Sequence, residues 1–333
     1  MQITAPFHNQ VPEHTVVVLV DDLHLFTQTW YYSALSYPML NDRLSTTFVL
    51  RDPDASPHTP PDPATKISTA LQKCLLLPFG QVKGLYHKEI VGFSPDIKLE
   101  LEKRMAIPIP SLQTCCESAL DLMTSADALL PTAPAAALAL YFGAFRAIHI
   151  LIHGRTRRVL ADVFFHASIE AGRFAGQTGM TVRVVLRLKL VARCVLAYLK
   201  LGAWDDAAFW GMRSIHIMRE AMDTDFEDFL GEVIGGQDVA MIYVRTGVAF
   251  WKMEREAERV EKWRAELKLY EGEELGGSEE VWKAAGRFLK GRRKGDVRKE
   301  LEDFGAPRRI VDLFRDEEKD DRSTMGVDGS GEE

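Results

Sequence analysis

Two histidines in the segment HILIH have the clearest potential for metal chemistry. His149 and His153 are four positions apart, so on a helix they would lie one turn apart on the same face. A zinc site needs at least a third ligand, and His166 is the nearest candidate. The glutamate of the HExxH metalloprotease pattern is absent. The pattern favours ordinary helix-face histidines, and we predict no metal site.

Two further motifs contain residue types that catalysis uses. His87-Lys88-Glu89 has the H-x-E spacing of zinc deaminases, but the P-C-x-x-C segment that supplies their other ligands is missing. Asp21-Asp22 follows a run of valines, as acidic pockets of response-regulator receiver domains do, but Asp52 comes too early to be the third acid. No glycine-rich phosphate loop, nucleophile elbow or dinucleotide fingerprint is present. We therefore predict a protein that is not an enzyme, with no catalytic residues and no cofactor.

Composition and charge narrow the classes of partner. The chain has 333 residues, 46% of them hydrophobic and 27% charged, which is typical of a globular protein with about two domains. A net charge of -7 provides no overall attraction for nucleic acid or an anionic membrane. The predicted partner is therefore an unknown protein or peptide, with no nucleic acid and no membrane.

Cysteine usage and the N-terminal sequence indicate a reducing compartment. Four cysteines in a chain of this length are too few for a disulfide framework, and the adjacent Cys115-Cys116 lacks the spacing of a zinc knuckle. The N-terminus has no basic region and only a five-residue apolar run at 16–20, unlike a signal peptide. The longest apolar stretch, at 135–145, is too short to cross a bilayer. We expect a cytoplasmic or nuclear protein.

Residues 1–94 are predicted to form a small α/β element. Short β-branched runs alternate with amphipathic segments there, an order that favours a mixed layer. The predicted elements are a strand at 15–20, a helix at 23–37, a strand at 45–50, a helix at 65–77 and a strand at 84–93.

Residues 95–305 are predicted to form a helical array, and residues 306–333 a charged, mostly disordered tail. Apolar residues recur at helical spacing through the array. The predicted helices are 99–105, 111–130, 134–153, 157–174, 181–201, 204–222, 239–253, 256–270, 279–290 and 297–304.

The segment 190–218 has the pattern of a paired-helix repeat. Tyr198 occupies the aromatic position of the first helix, and Gly202 marks the turn between the helices. Ala207 and Ser214 are the small residues of the second helix, which let neighbouring helices approach closely. This is the spacing of a tetratricopeptide (TPR) unit.

The pattern has departures and weaker copies. Gly211 stands where an aromatic residue is expected, and Val195 where a small residue is expected. The segment 118–150 matches in part, and a third candidate begins at Met241 but fails in its second helix, where Arg259 replaces a small residue. The array could instead be a generic helical bundle with no open groove.

On these residues the chain resembles the TPR family over residues 111–270. The resemblance implies a right-handed stack of antiparallel helix pairs with a binding surface, and it names no particular ligand. The stretches 75–85, 104–123 and 176–184 also resemble uncharacterised proteins of filamentous fungi, a resemblance that carries no function.

The TPR resemblance implies a peptide groove along the inner face of the first helices. The residues of this row are mostly apolar and would suit an amphipathic helix or an extended peptide. They are Lys189, Ala192, Leu196, Leu199, Met241, Val244, Val248 and Trp251. The alternative is that the same row is buried against the C-terminal helices or the α/β element.

A basic patch on one helix is a second candidate site. Arg183, Arg187 and Arg193 could hold an acidic peptide, although surface helices are normally charged and a solvated face is the alternative. Chaperone-binding TPR domains clamp a terminal carboxylate with the help of asparagines. This chain has asparagine only at Asn9 and Asn41, outside the repeats, so that clamp is not reproduced.

The sequence therefore predicts a mainly α protein in which a small N-terminal α/β element joins a TPR-like stack. Its predicted function is a non-catalytic protein–protein interaction scaffold. Two alternatives stay open: an adaptor (F-box-like) fragment, and an unrecognised enzyme with a site between the α/β element and the helices.

Overall fold

The protein is mainly α-helical with small β elements, as predicted. The computed structural model describes residues 2–4, 17–37, 39–52, 67–219, 236–255, 277–289 and 293–315. By contact the chain divides into two compact units. Unit 1 comprises Met1–Asp121 and Gly143–Arg183, and unit 2 comprises Leu122–Phe142 and Val184–Glu333.

A three-stranded sheet forms part of unit 1. Helix α1 (Leu23–Ser36) precedes the central strand β2 (Ser45–Val49), which pairs in parallel with β3 (His87–Val91). Strand β1 (Gln2–Thr4) pairs antiparallel with the other edge of β2. The strands predicted at 45–50 and 84–93 are confirmed.

The parallel β2–β3 pair needs a crossover, because a tight turn can join only antiparallel strands. Helix α2 (Thr69–Leu76) and the 3₁₀ turn Leu77–Gln81 lie within it. Ser68 caps α2, since its hydroxyl accepts the N–H of Leu71 at 3.3 Å. After β3, helix α3 (Pro95–Ala106) begins with a proline, whose missing N–H costs nothing there.

The core of this part of unit 1 lies between the sheet and the three helices. Its buried side chains include several aromatic residues packed edge to face. They are Trp30, Phe48, Leu50, Leu76, Leu77, Phe79, Val82, Phe93, Ile97 and Leu101.

The strand predicted at 15–20 is wrong for its described part. Residues 17–20 form no strand, and Val17 and Leu19 are exposed. The N–H of Asp22 bonds to the oxygen of Leu19 at 3.1 Å, so this apolar run enters the turn that begins α1. The N-terminal strand of the sheet is β1 instead.

Two long helices follow α3. They are α4 (Leu112–Leu129) and α5 (Pro134–Ala147), and Ser111 caps α4 by accepting the N–H of Thr114 at 3.1 Å. The prediction that the second helix continues to residue 153 is wrong. The chain leaves α5 and reverses at His149, whose φ is 55°.

A β-hairpin replaces the end of that predicted helix. Strand β4 (Ile150–His153) pairs antiparallel with β5 (Thr156–Val159) across a two-residue loop. Gly154 begins the loop with a φ of 53°, the left-handed backbone that such hairpin loops require at their first position.

The helix predicted at 157–174 is also wrong. Beyond β5 only the short α6 (Asp162–Phe165) and the 3₁₀ turn Gly172–Phe174 form. Gly172 and Gly176 have φ values of 81° and 83°, which break any continuous helix through this stretch.

Helix α7 (Gly179–Lys200) and helix α8 (Trp204–Arg219) form the hairpin predicted at 181–222, as far as it is described. Gly202 ends α7 with a φ of 71°. The N–H of Ala203 bonds to the oxygen of Tyr198 at 3.0 Å, and the N–H of Gly202 bonds to the oxygen of Leu199 at 3.1 Å. These two bonds form a Schellman motif, so Gly202 is the helix stop that the sequence indicates.

Unit 2 continues with four more described helices. They are α9 (Gly236–Arg255), α10 (Gly277–Ala285), α11 (Arg293–Asp303) and α12 (Arg308–Val311). Helix α9 packs against both α8 and α10. The helix predicted at 256–270 lies outside the described residues.

The prediction of a disordered tail from residue 306 onward is wrong for its described part, residues 306–315. Helix α12 and the 3₁₀ turn Asp312–Phe314 lie within it, with Ile310 and Phe314 buried. Residues 316–333 lie outside the described part of the chain.

Candidate functional site

Arg193 on α7 is the centre of a polar network in unit 2. Its Nε lies 2.9 Å from each carboxylate oxygen of Asp127 on α4. Its Nη1 donates to the main-chain oxygen of Lys189 at 3.1 Å and to Asp238 on α9 at 3.4 Å. The hydroxyl of Tyr141 on α5 donates to Asp127 at 2.7 Å. We call these five residues the Arg193 network, and they link four helices.

The charges of the Arg193 network compensate one another. Burial opposes the charged form of Arg193, but the hydrogen bond to Asp127 and the negative charge of Asp238 outweigh it and raise the pKa of the guanidinium. Burial and the bond to Asp127 raise the pKa of the Tyr141 hydroxyl. The Lys189 Nζ lies 4.0 Å from Asp238. The network therefore acts as a fixed polar link between helices.

An aromatic contact joins other helices of the same unit. The ring of Trp210 on α8 stacks on Phe142 of α5, with centroids 5.6 Å apart, and lies 6.1 Å from Tyr198 of α7. Trp210 is 1% exposed, so this contact is part of the interior. It places α5 and α8 beside each other.

A second ion pair anchors α9. Arg245 donates to both carboxylate oxygens of Glu300 on α11, at 2.6 Å and 2.9 Å. Its remaining terminal nitrogen donates to the main-chain oxygen of Ala192 on α7 at 2.6 Å. All three groups lie in unit 2, and the bidentate geometry holds α9 against α7 and α11.

Most of the predicted peptide groove is buried. Trp282 of α10 donates to the main-chain oxygen of Val244 at 3.0 Å, and its indole fills the space beside Gly247. The prediction of an open groove is therefore wrong for these positions, and the alternative of a buried row applies to them. The five buried groove residues are Ala192, Leu199, Met241, Val244 and Val248.

Three predicted groove residues stay partly exposed. They are Lys189 and Leu196 on α7 and Trp251 on α9. The ammonium group of Lys252 lies 4.7 Å from the ring centre of Trp251 and 5.8 Å from that of Trp204, a cation–π arrangement. These positions form the accessible remainder of the predicted row.

The predicted basic patch does not form. Arg183 is 3% exposed, donates to the oxygen of Leu160 at 2.8 Å and pairs with Asp162 in unit 1. Arg193 is engaged in its own network in unit 2, and Arg187 is only partly exposed. Because two of the three cations are already paired with acids, they are not an open surface for an acidic peptide.

The candidate ligand His149 is buried in an aromatic cluster of unit 1. Its side chain is 3% exposed, and its ring stacks on Tyr32 with centroids 4.4 Å apart. The ring centre is 6.0 Å from that of Tyr31 and 5.2 Å from those of Phe164 and Phe165. This set, with Cys115, is called the His149 cluster below.

Cys115 brings a thiol to His149. The Sγ lies 3.9 Å from the Nε2 of His149, while Nδ1 is buried with no hydrogen-bond partner among the described residues. Cys115 lies in the first turn of α4. A cysteine at a helix start beside a histidine has the residue types of a nucleophile and its base.

The protonation states of the cluster oppose such chemistry. Burial, together with the nearby charge of Arg183, lowers the pKa of His149 to about 3. Burial raises the pKa of Cys115 to about 11 and that of Tyr31 to about 12. At neutral pH the pair is therefore a thiol and a neutral imidazole, and the thiolate that attacks substrates is absent.

The two other histidines that were considered as candidate metal ligands are separated from His149. His153 is exposed and lies 3.7 Å from a carboxylate oxygen of Asp22, and His166 is exposed just after α6. The hairpin explains the separation, since His149 precedes β4 and His153 ends it. Over the ranges that the structure describes, no group of three metal-ligating side chains occurs.

The remaining motifs lie on separate parts of unit 1. His87-Lys88-Glu89 is in strand β3, and His87 and Glu89 are exposed. Asp21-Asp22 lies in the turn before α1, and Asp52 follows β2.

Sequence reasoning missed the partners that define these networks. Asp127, Asp238, Arg245 and Glu300 carry no motif, because each is an ordinary charged residue of an amphipathic helix until its neighbour is known. The sequence did contain a signal for the hairpin. The segments ILIH and TRRV are separated by two residues, the first of which is a glycine.

No protein-family model matches this chain, and no curated protein or solved structure does. In the portion of the chain covered by the structure, no helix is both long and apolar enough to cross a membrane.

Proposed function

We propose that this protein is a non-catalytic scaffold that binds a peptide or a helix of another protein on a TPR-like stack of helix pairs. Among the described helices, the pairs are α4–α5, α7–α8 and α9–α10. A stack of this kind has one row of first helices and one row of second helices, each packed against its sequence neighbours.

The Arg193 network is the observation that carries the proposal. Arg193 on α7 contacts Asp127 on α4 and Asp238 on α9, so three first helices meet at one side chain. The stacked rings of Phe142 and Trp210 join the second helices α5 and α8 in the same way. In a repeat stack, the first helices of successive pairs lie beside one another, and so do the second helices. A bundle around one centre does not require this order.

The binding surface we propose is the accessible part of the first-helix row. It contains the partly exposed Lys189 and Leu196 on α7 and Trp251 on α9, and the ammonium group of Lys252 lies 4.7 Å from the ring centre of Trp251. Partly exposed aliphatic and aromatic side chains bordered by charges suit an amphipathic partner helix.

Quantitative affinity purification of the full chain tests this surface. The test variant carries both Leu196→Ala and Trp251→Ala. The matched control carries both Leu99→Ala and Leu313→Ala, at two leucines outside the proposed surface whose side chains are 52% and 43% exposed. We expect one set of partners to be depleted by the test variant and retained by the control. Recovery of the same partners with all three proteins would refute the surface.

The two alternatives have less support. An enzyme needs reactive groups in an accessible cleft, whereas the Cys115–His149 pair is buried and neutral. No feature of the described residues favours an F-box-like adaptor in particular.

A further inference from the structure

The connection between α3 and α4 is an exposed run of isoleucine and proline. Six consecutive residues, from Ala106 to Ser111, are exposed. Ile107 and Ile109 are 61% and 42% exposed, although each is bulky and apolar. The sequence of residues 107–110 is Ile-Pro-Ile-Pro, and we call it the IPIP segment.

The IPIP segment favours the polyproline II conformation. Ile107 has φ -60° and ψ 125°, which lies in that region of backbone space. The rings of Pro108 and Pro110 fix φ at about -65°, and a residue that precedes proline is restricted to extended or polyproline II conformations. All four residues are therefore biased toward the same left-handed helix.

Rigid helices hold the segment at both ends. At its start, α3 buries Ile97 and Leu101 in the core of unit 1. At its end, the Ser111 hydroxyl caps α4 through the N–H of Thr114 at 3.1 Å. Because the segment is ordered before it meets a partner, little conformational entropy is lost on binding.

We propose that the IPIP segment is a docking motif for a partner domain whose groove is lined by aromatic side chains. Polyproline II helices have three residues per turn, so Ile107 and Pro110 share one edge and Pro108 lies on the next. The aromatic rings that line such a groove can pack against two adjacent edges of the polyproline II helix. No described residue donates a hydrogen bond to the carbonyls of Ile107, Pro108 or Ile109, which can accept from the Trp or Tyr donors of such a groove.

A positively charged side chain lies at the N-terminal end of the IPIP segment. Lys103 is exposed on the last turn of α3, just before the segment, whereas the neighbouring Arg104 is paired with Glu100 at 2.5 Å. An acidic residue at the matching end of the partner groove would pair with Lys103. The motif lies in unit 1 and is independent of the surface around Leu196 and Trp251.

A panel of purified SH3, WW and EVH1 domains, titrated with the purified full-length protein, tests the proposal. We expect saturable binding to at least one domain. The double substitution Pro108→Ala and Pro110→Ala should weaken that binding by about tenfold or more. Ile107→Ser leaves both prolines and the α4 cap in place and should also weaken it, which keeps the test valid if the proline variant is unstable.

Leu99→Ala is the control, since Leu99 is 52% exposed on α3 outside the segment. It should bind like the wild type. The proposal is overturned if no domain of the panel binds at about 1 mM, or if binding is the same with the proline and Ile107 variants as with the wild type.

Discussion

Gly211 on α8 lies so close to Thr246 on α9 that no side chain fits between them. A Cβ at Gly211 would overlap the Oγ1 and Cβ of Thr246. That hydroxyl is held in place, because it donates to the main-chain oxygen of Ile242 at 2.6 Å. The two helices therefore meet at a position where the sequence pattern led us to expect an aromatic residue.

Gly211→Ala should lower the free energy of unfolding by about 1–3 kcal/mol, because the added methyl overpacks the contact. Alanine has the higher helix propensity, so a gain would be expected at an unconstrained site. Gly295→Ala on α11 is the matched control, since no described atom outside its own stretch of helix backbone lies within 4 Å of the added Cβ, and it should gain up to about 1 kcal/mol. Urea unfolding of both variants measures the difference. Equal stabilities would mean that α8 and α9 are not in close contact.

The Arg245–Glu300 pair should be a strong local determinant of stability. The side chains are only 11% and 21% exposed. Glu300→Gln leaves the guanidinium without its counter-charge and should cost about 2–4 kcal/mol. Asp312→Asn, which breaks the exposed pair with Arg315, should change stability by less than about 0.5 kcal/mol. Thermal unfolding compares the two, and similar losses would contradict the buried geometry.

The buried His149 should make stability depend on pH. Its pKa is about 3 in the folded protein, below the usual value of 6.5, so the unfolded chain binds the extra proton first as pH falls. The stability that the neutral His149 contributes is fully present above about pH 6.5. It is lost as the pH falls toward 3, by at most about 1.4 kcal/mol per pH unit. Asparagine tolerates the left-handed backbone at this position and does not titrate.

The measurement is urea unfolding between pH 7 and pH 4 for the wild type, His149→Asn and the exposed control His153→Asn. We expect the first substitution to flatten the pH dependence and the control to leave it unchanged. Parallel curves for all three proteins would show that His149 is not buried in its neutral form.

Cysteine labelling should distinguish one thiol from the other three. Cys74 is exposed, whereas Cys115, Cys116 and Cys194 are buried. Burial also raises the pKa of Cys116 to about 12, which suppresses the reactive thiolate. A thiol reagent at pH 8 should modify one cysteine per native chain quickly and all four in urea. Cys74→Ser should remove the fast phase, and fast labelling at a second site would contradict the described burial.

Helices such as α3, α4 and α7 were predictable because their periodicity is local. The Schellman stop at Gly202 and the caps at Ser68 and Ser111 involve residues within a few positions of one another, so their signals are present in the sequence. The HILIH segment shows the limit of that reasoning. Its apolar spacing suits a helix, but the left-handed turn at His149 and the cross-strand pairing with residues 156–159 decide its conformation.

The candidate surface was less predictable than the fold. Spacing identified which residues share the face of a helix, and Leu196 and Trp251 are partly exposed. Spacing could not show that α10 covers Val244, since that depends on a tryptophan 38 positions away. Arg183 and Arg193 looked alike in sequence, and only their distant partners Asp162 and Asp127 separate them.

The backbone passes between the two units inside α4, α5 and α7, at residues 121–122, 142–143 and 183–184. Genetic recombination that exchanges whole domains would therefore find no clean seam in this gene. A single crossover anywhere between codons 121 and 184 would leave at least one unit made of segments from two parents, because each unit is formed by two separate stretches of the chain.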